Sequence, residues 1–190
     1  MKKVLNFLKK YYLCFIIVAA SIIIDLLTKY IATKNLYVEN NYLSKEVIKN
    51  FFYFTYARNS GAAWSILTGK TVVLIIITVV AFVFFGYFLR YFDIKKRPFY
   101  SIGFALMLGG TLGNFYERIV NGYVTDFFDF IIFGWDFPIF NVADSCLVVG
   151  MILIIVYFIF FSKDDTIFKE KNNPLKEKEV QDTKEENETN

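Results

Sequence analysis

The sequence predicts an integral membrane, all-α fold. It comprises four transmembrane helices with both termini cytoplasmic, plus a small antiparallel β element and an interfacial segment on the outer face. Three observations predict it. In a chain of 190 residues that is 56% hydrophobic, four runs approach the length of about 20 apolar residues that a bilayer-crossing helix needs. Lys and Arg collect at the ends and connections that would share one side of the membrane. Acids and amides interrupt the apolar runs at a few places only.

The first span covers residues 11–31 and carries Asp25 and Lys29 near its end. Met1-Lys2-Lys3 before an apolar run imitates a secretory leader, but the length, the missing small-x-small exit and the two charges predict a retained anchor. An outer loop follows, about residues 33–70. Its run Phe51-Phe52-Tyr53-Phe54-Thr55-Tyr56 favours strands, and Asn59-Ser60-Gly61 supplies turn chemistry after it. The competing reading is simple aromatic anchoring at the headgroups. The second span, 71–92, is uncharged until Arg90, and Lys95, Lys96 and Arg97 fill the next connection.

The third span, 98–116, is uncharged but rich in glycine; Gly109, Gly110 and Gly113 would let it approach its neighbours closely. The outer connection 117–136 holds Asp126, Asp129, Trp135 and Asp136 and reads as a strand or a short interfacial helix. The fourth span, 137–161, begins near Pro138, with Asn141 as a candidate cap and Asp144 about two turns inside. Residues 1–162 form the membrane domain. The remainder, 163–190, alternates Lys with Glu, Asn and Asp and is too polar to bury a core, so a disordered cytoplasmic tail is expected.

Composition removes several kinds of chemistry. The chain has no histidine, so Ser-His and Cys-His pairs, imidazole bases and His-Glu zinc sites are absent. Cys14 and Cys146 lie in apolar runs without CxxC spacing and read as small hydrophobes. No cofactor or metal is expected. Residues 1–162 carry fifteen Lys/Arg against nine Asp/Glu, but these lie in short loops and form no basic face, so no nucleic acid is expected as a partner.

What remains is carboxylate chemistry. An acid at the bilayer centre costs roughly 2.5–3.5 kcal/mol on insertion scales, so intramembrane acids are candidates for function. Asp144 lies inside an otherwise apolar span, and Asp126 lies eighteen positions earlier at the border of another. Two facing carboxyl groups can share one proton and activate water. On the predicted topology Asp25, Lys29, Asn59, Asn114, Arg118, Asp126 and Asp144 all fall towards the outer leaflet, although they come from five regions of the chain. Blander roles exist for most of them. Asp25 and Lys29, spaced i, i+4, can neutralise each other; Asn114 can satisfy backbone groups at a helix end; Arg118 can snorkel or pair with an acid.

Five segments in order carry a resemblance: Asp25-Leu26-Leu27-Thr28-Lys29, Arg58-Asn59-Ser60-Gly61-Ala62-Ala63-Trp64, Gly109-Gly110-Thr111-Leu112-Gly113-Asn114-Phe115-Tyr116-Glu117-Arg118, Val124-Thr125-Asp126-Phe127 and Phe140-Asn141-Val142-Ala143-Asp144. With the four spans, they make residues 10–162 resemble lipoprotein signal peptidase (signal peptidase II), the bacterial intramembrane aspartic protease. The resemblance implies removal of signal peptides from prolipoproteins, just before a cysteine bearing diacylglycerol. It implies Asp126 and Asp144 as the catalytic pair. Asn59, Gly61, Asn114, Arg118, Asn141, Asp25 and Lys29 would then bind substrate or support the site. The expected partners are that prolipoprotein and membrane lipids around a monomeric chain in the bacterial cytoplasmic membrane, with the site at the outer leaflet.

The chain departs from the family pattern at Glu117, where Asp is usual, which predicts altered packing of an outer-face ion pair without loss of activity, and at Trp64, where Phe is usual. Two other readings compete. A small proton- or ion-coupled transporter would use Asp25, Lys29 and Asp144 as a relay and needs polar groups at several depths. A scaffold would merely pair its acids with Lys29 and Arg118.

Overall fold

Apolar segments in a bilayer must satisfy their own backbone groups, and the long apolar runs of this chain accordingly fold as helices. The computed structural model describes residues 2–38, 41–61 and 66–162. The chain divides into two units, Met1–Ile154 and Ile155–Asn190. Trp64 and the charged tail 163–190 lie outside the described residues.

The first helix, α1, runs Lys2–Leu36, 35 residues without a Gly or Pro, and is longer than the predicted span. At 1.5 Å per residue it reaches about 52 Å, well beyond a hydrocarbon core of about 30 Å. Lys29 therefore lies about two turns and Asp25 about three turns before its end. Helix α2 covers Thr71–Phe88 and is continued by a 3-10 turn at Leu89–Tyr91. Helix α3 covers Pro98–Val120, with Pro98 in its first turn, where a missing N–H costs nothing. Helix α4 covers Val142–Phe160.

Three of these four helices, within Val4–Leu36, Thr71–Tyr91 and Val142–Phe160, are long and apolar enough to cross a membrane. The expected fourth, α3, has the length, but Asn114, Glu117 and Arg118 dilute its apolar content. Buried residues recur along it from Tyr100 to Glu117, so it presents less surface to its surroundings than α2, whose only buried residue is Leu74.

Outside the helices the chain forms sheet. Strands β1 (Tyr37–Val38) and β2 (Asn41–Tyr42) pair with each other. Strands β3 (Ser44–Ile48), β4 (Phe52–Asn59), β5 (Val124–Ile132) and β6 (Trp135–Asp136) form a four-stranded antiparallel sheet in that order. The connection expected to be either strand or interfacial helix is thus a strand, and the two predicted outer segments belong to one sheet. Aromatic pairing accounts for this: Phe52 stacks on Phe130 with ring centroids 4.6 Å apart, and Phe130 stacks on Phe140 at 5.8 Å. Beneath the sheet, Tyr56 and Phe127 pack with Ala32 and Leu36 of α1. That contact fixes the sheet to the helix that carries Asp25 and Lys29.

Glycine sets the helix spacing. A Cβ on Gly103 of α3 would lie 2.5 Å from the Gly150 carbonyl of α4, and one on Gly110 would collide with the Ala143 carbonyl. Both helices thus offer small residues seven positions apart, antiparallel, where their backbones meet. Gly109 does the same against α1, where its Cβ would stand 2.6 Å from Ser21 Cβ.

Candidate active site

Asn141 is where α4 begins, and it begins there for a local reason. Asn141 Oδ1 accepts the Asp144 N–H at 3.0 Å, while Asp144 Oδ2 accepts the Asn141 N–H at 3.2 Å. This reciprocal pair is a capping box. Asn141 is therefore the cap that the sequence suggested. Asp144, however, sits in the first turn of α4 and not two turns inside. A carboxylate is favourable there, because the helix N-terminus presents free N–H groups and a positive dipole end.

Asp126 arrives from β5, paired opposite Ala57 of β4. It is 2% exposed. Asn141 Nδ2 donates to its Oδ1 at 2.6 Å and Asn59 Nδ2 to its Oδ2 at 2.9 Å. A single residue, Asn141, thus binds both acids. Asp126 and Asp144 line one cavity of about 680 Å³ together with Asn59, Asn114 and Arg118. Much of the remaining wall is apolar, including Phe137, Pro138, Leu147 and Val148. Burial, then the negative charge of Asp144, pushes the Asp126 carboxyl up to about 7.

Three asparagines share one device. Each has its carbonyl oxygen occupied, which aims its NH2 at a carboxylate. Asn59 Oδ1 takes the Gly61 N–H at 2.9 Å. Asn141 Oδ1 takes the Asp144 N–H. Asn114 Oδ1 takes Lys29 Nζ at 2.8 Å, so its Nδ2 reaches Asp144 Oδ1, also at 2.8 Å.

Behind them stands a buried ionic cluster. Lys29 Nζ forms ion pairs with Asp25 Oδ2 at 2.8 Å and Glu117 Oε2 at 3.1 Å and donates a hydrogen bond to Asn114 Oδ1. The expected i, i+4 pair between Asp25 and Lys29 is present, but as part of a triad. Asp25 Oδ1 also accepts the Ala143 N–H at 2.9 Å, which ties α1 to the first turn of α4. Such burial is tolerable only because each charge is paired and hydrogen-bonded.

The nine sequence candidates therefore come together in one connected network, with Arg118 joining through Gly61, whose carbonyl accepts its Nη2 at 3.3 Å. Glu117 forms its ion pair with Lys29, because it occupies the α3 face that looks onto α1. Arg118 has a buried Nε without a hydrogen-bond partner among the described residues. Sequence reasoning missed Thr125, whose N–H and hydroxyl both bind Glu117, each at 2.9 Å. Its adjacency to Asp126 was the available signal. Among the described residues no cluster of His, Cys, Asp and Glu could hold a metal ion.

Comparison with known proteins gives a consistent picture. Residues 17–160 match the family model described as signal peptidase (SPase) II. The chain is 41% identical over 165 residues to the lipoprotein signal peptidases of Staphylococcus aureus strains JH9 and Newman, covering 86% of this chain and 97% of each relative. Among solved structures, a bacterial membrane enzyme determined in meso at 2.3 Å resolution aligns with a TM-score of 0.67 and 38% identity. That alignment covers 85% of this chain and 90% of the other.

Proposed function

The chain belongs to the signal peptidase II family of proteases, and on that premise we propose that it removes signal peptides from diacylglyceryl-modified bacterial prolipoproteins, with Asp126 and Asp144 as its catalytic residues. The observation that carries this reading is the pair of acids, delivered by β5 and α4 to one cavity and bridged by Asn141. The expected lipid-modified cysteine suits a cavity lined by both polar and apolar side chains.

In this reading Asp144 is the ionised base, stabilised by the start of α4, and Asp126 holds the proton, as its burial favours. Asp144 takes a proton from water, whose oxygen forms a bond to the scissile carbonyl carbon. Asp126 gives its proton to the carbonyl oxygen. The resulting diol collapses as its C–N bond breaks: one diol hydroxyl returns its proton to Asp126, and the departing nitrogen receives the proton held by Asp144, which restores both acids. Arg118, which lines the cavity, holds a substrate carbonyl. The site faces the outer leaflet of the cytoplasmic membrane, α3 is the fourth span, and both termini are cytoplasmic.

Asp126→Asn and Asp144→Asn, assayed singly on a diacylglyceryl prolipoprotein in micelles, should each lower kcat by about 10²–10⁴-fold, the usual worth of a general acid or base. Near-normal cleavage by either folded variant would end the proposal. Retained proton flux in liposomes without cleavage would favour a transporter instead.

A further inference from the structure

The two acids sit on different elements, and reaction rates are sensitive to misplacement of about 1 Å. Asp144 is fixed by its own helix cap. Asp126 has a weaker local frame, because the β4–β5 register shifts between Phe54 and Ala57, immediately before the pair Ala57–Asp126. A bulge of this kind re-aims side chains and loosens the ladder beside them.

We propose that Glu117 is the positioning residue that compensates, setting Asp126 relative to Asp144 by gripping Thr125; the inference rests on the two-aspartate reading above. The Glu117 carboxylate binds one residue with both oxygens, Oε2 to the Thr125 N–H and Oε1 to the Thr125 hydroxyl. It therefore fixes the backbone and side chain of the residue directly before Asp126. Three positions earlier on the same face of α3, Asn114 grips Asp144. Lys29 Nζ contacts both Asn114 and Glu117, which locks the two grips to each other. One rigid helix thus spans the pair of acids. If Glu117 served only to neutralise Lys29, its bidentate hold on Thr125 would be immaterial to turnover.

The test measures kcat and KM for prolipoprotein cleavage by the wild type, Glu117→Ala, Glu117→Gln, Glu117→Asp, Thr125→Val and the Glu117→Ala/Thr125→Val double variant. Glu117→Ala should lose about 100-fold in kcat with KM within about twofold. Glu117→Asp should recover most of that loss, since one Thr125 bond and the Lys29 charge survive. Thr125→Val, which deletes only the hydroxyl, should lose several-fold, and the double variant should be no slower than Glu117→Ala alone, because the two residues act as one unit. Should Glu117→Ala fail to accumulate, Glu117→Gln and Thr125→Val carry the test, both expected to lose several-fold in kcat against the wild type with KM within about twofold. Full kcat in Glu117→Ala or Thr125→Val, a loss confined to KM, or losses that multiply in the double variant would overturn the inference. Undiminished cleavage by Asp126→Asn, by contrast, would overturn the protease reading and this inference with it.

Discussion

Asp126 holds the property most open to measurement. Its carboxyl is pushed from an ordinary value of 3.8 up to about 7, first by burial and then by the charge of Asp144. Between those values the folded protein binds a proton that the unfolded chain does not. The stabilisation from this group is therefore fully present below about 3.8 and is lost as pH rises through about 7. Catalysis should follow the same direction. Above about 7 Asp126 loses the proton that it donates in the proposed reaction, so kcat/KM should fall about tenfold per pH unit on the alkaline side. A profile flat from pH 6 to 9 would show that the proton is not on this pair; the apparent values measured belong to the dyad as a whole. The same scale explains the asparagines. An amide aimed at a carboxylate by a donor on its other side needs no reorganisation during reaction.

At the scale of elements, α3 is the organiser. It contacts α1 through Gly109, α4 through Gly103 and Gly110, and β5 through Glu117. The Gly110 contact is the most consequential, since Ala143 stands one residue before Asp144. Gly110→Ala would push the first turn of α4 outward and should cost about 1–3 kcal/mol in stability, as overpacking does. Activity should suffer more than stability, because the displaced turn carries Asp144, the proposed catalytic base; a thermal melt beside a cleavage assay separates the two. A variant with normal kcat would show that α4 can give way without moving Asp144. The sheet is the second organiser. Its aromatic face grips α1 through Tyr56 and Phe127, and its strand β5 delivers Asp126.

For the molecule as a whole, the proposed topology has a direct check. In a background with Cys14 and Cys146 replaced, Ser44→Cys on β3 should react with an impermeant maleimide added outside intact cells. Lys96→Cys, between α2 and α3, should react only after lysis. Labelling of Lys96→Cys from outside would reverse the orientation and move the acids to the inner leaflet. The arrangement also rationalises the charge distribution. Lys95 and Lys96 lie in the short α2–α3 connection, where their N–H groups cap onto Asp93 Oδ1, each at 3.1 Å. The ionic triad, in contrast, is sealed inside the protein, where Lys29 is 2% exposed.

The sequence by itself determined the apolar spans and the candidate acids, because span length and the cost of a buried charge are local properties of the chain. Asn141 was legible as a cap for the same reason. Tertiary structure decided everything that depended on a partner far along the chain. The strand at Val124–Ile132 was ambiguous alone and became definite through pairing with Phe52–Asn59. Glu117 reads in the sequence as half of an outer-face ion pair, and only the packing of α1 against α3 identifies Lys29 and Thr125 as its partners. The depth of Asp144 was misjudged because apolar content marks a membrane span, whereas the capping box with Asn141 marks the helix start, and the two need not coincide.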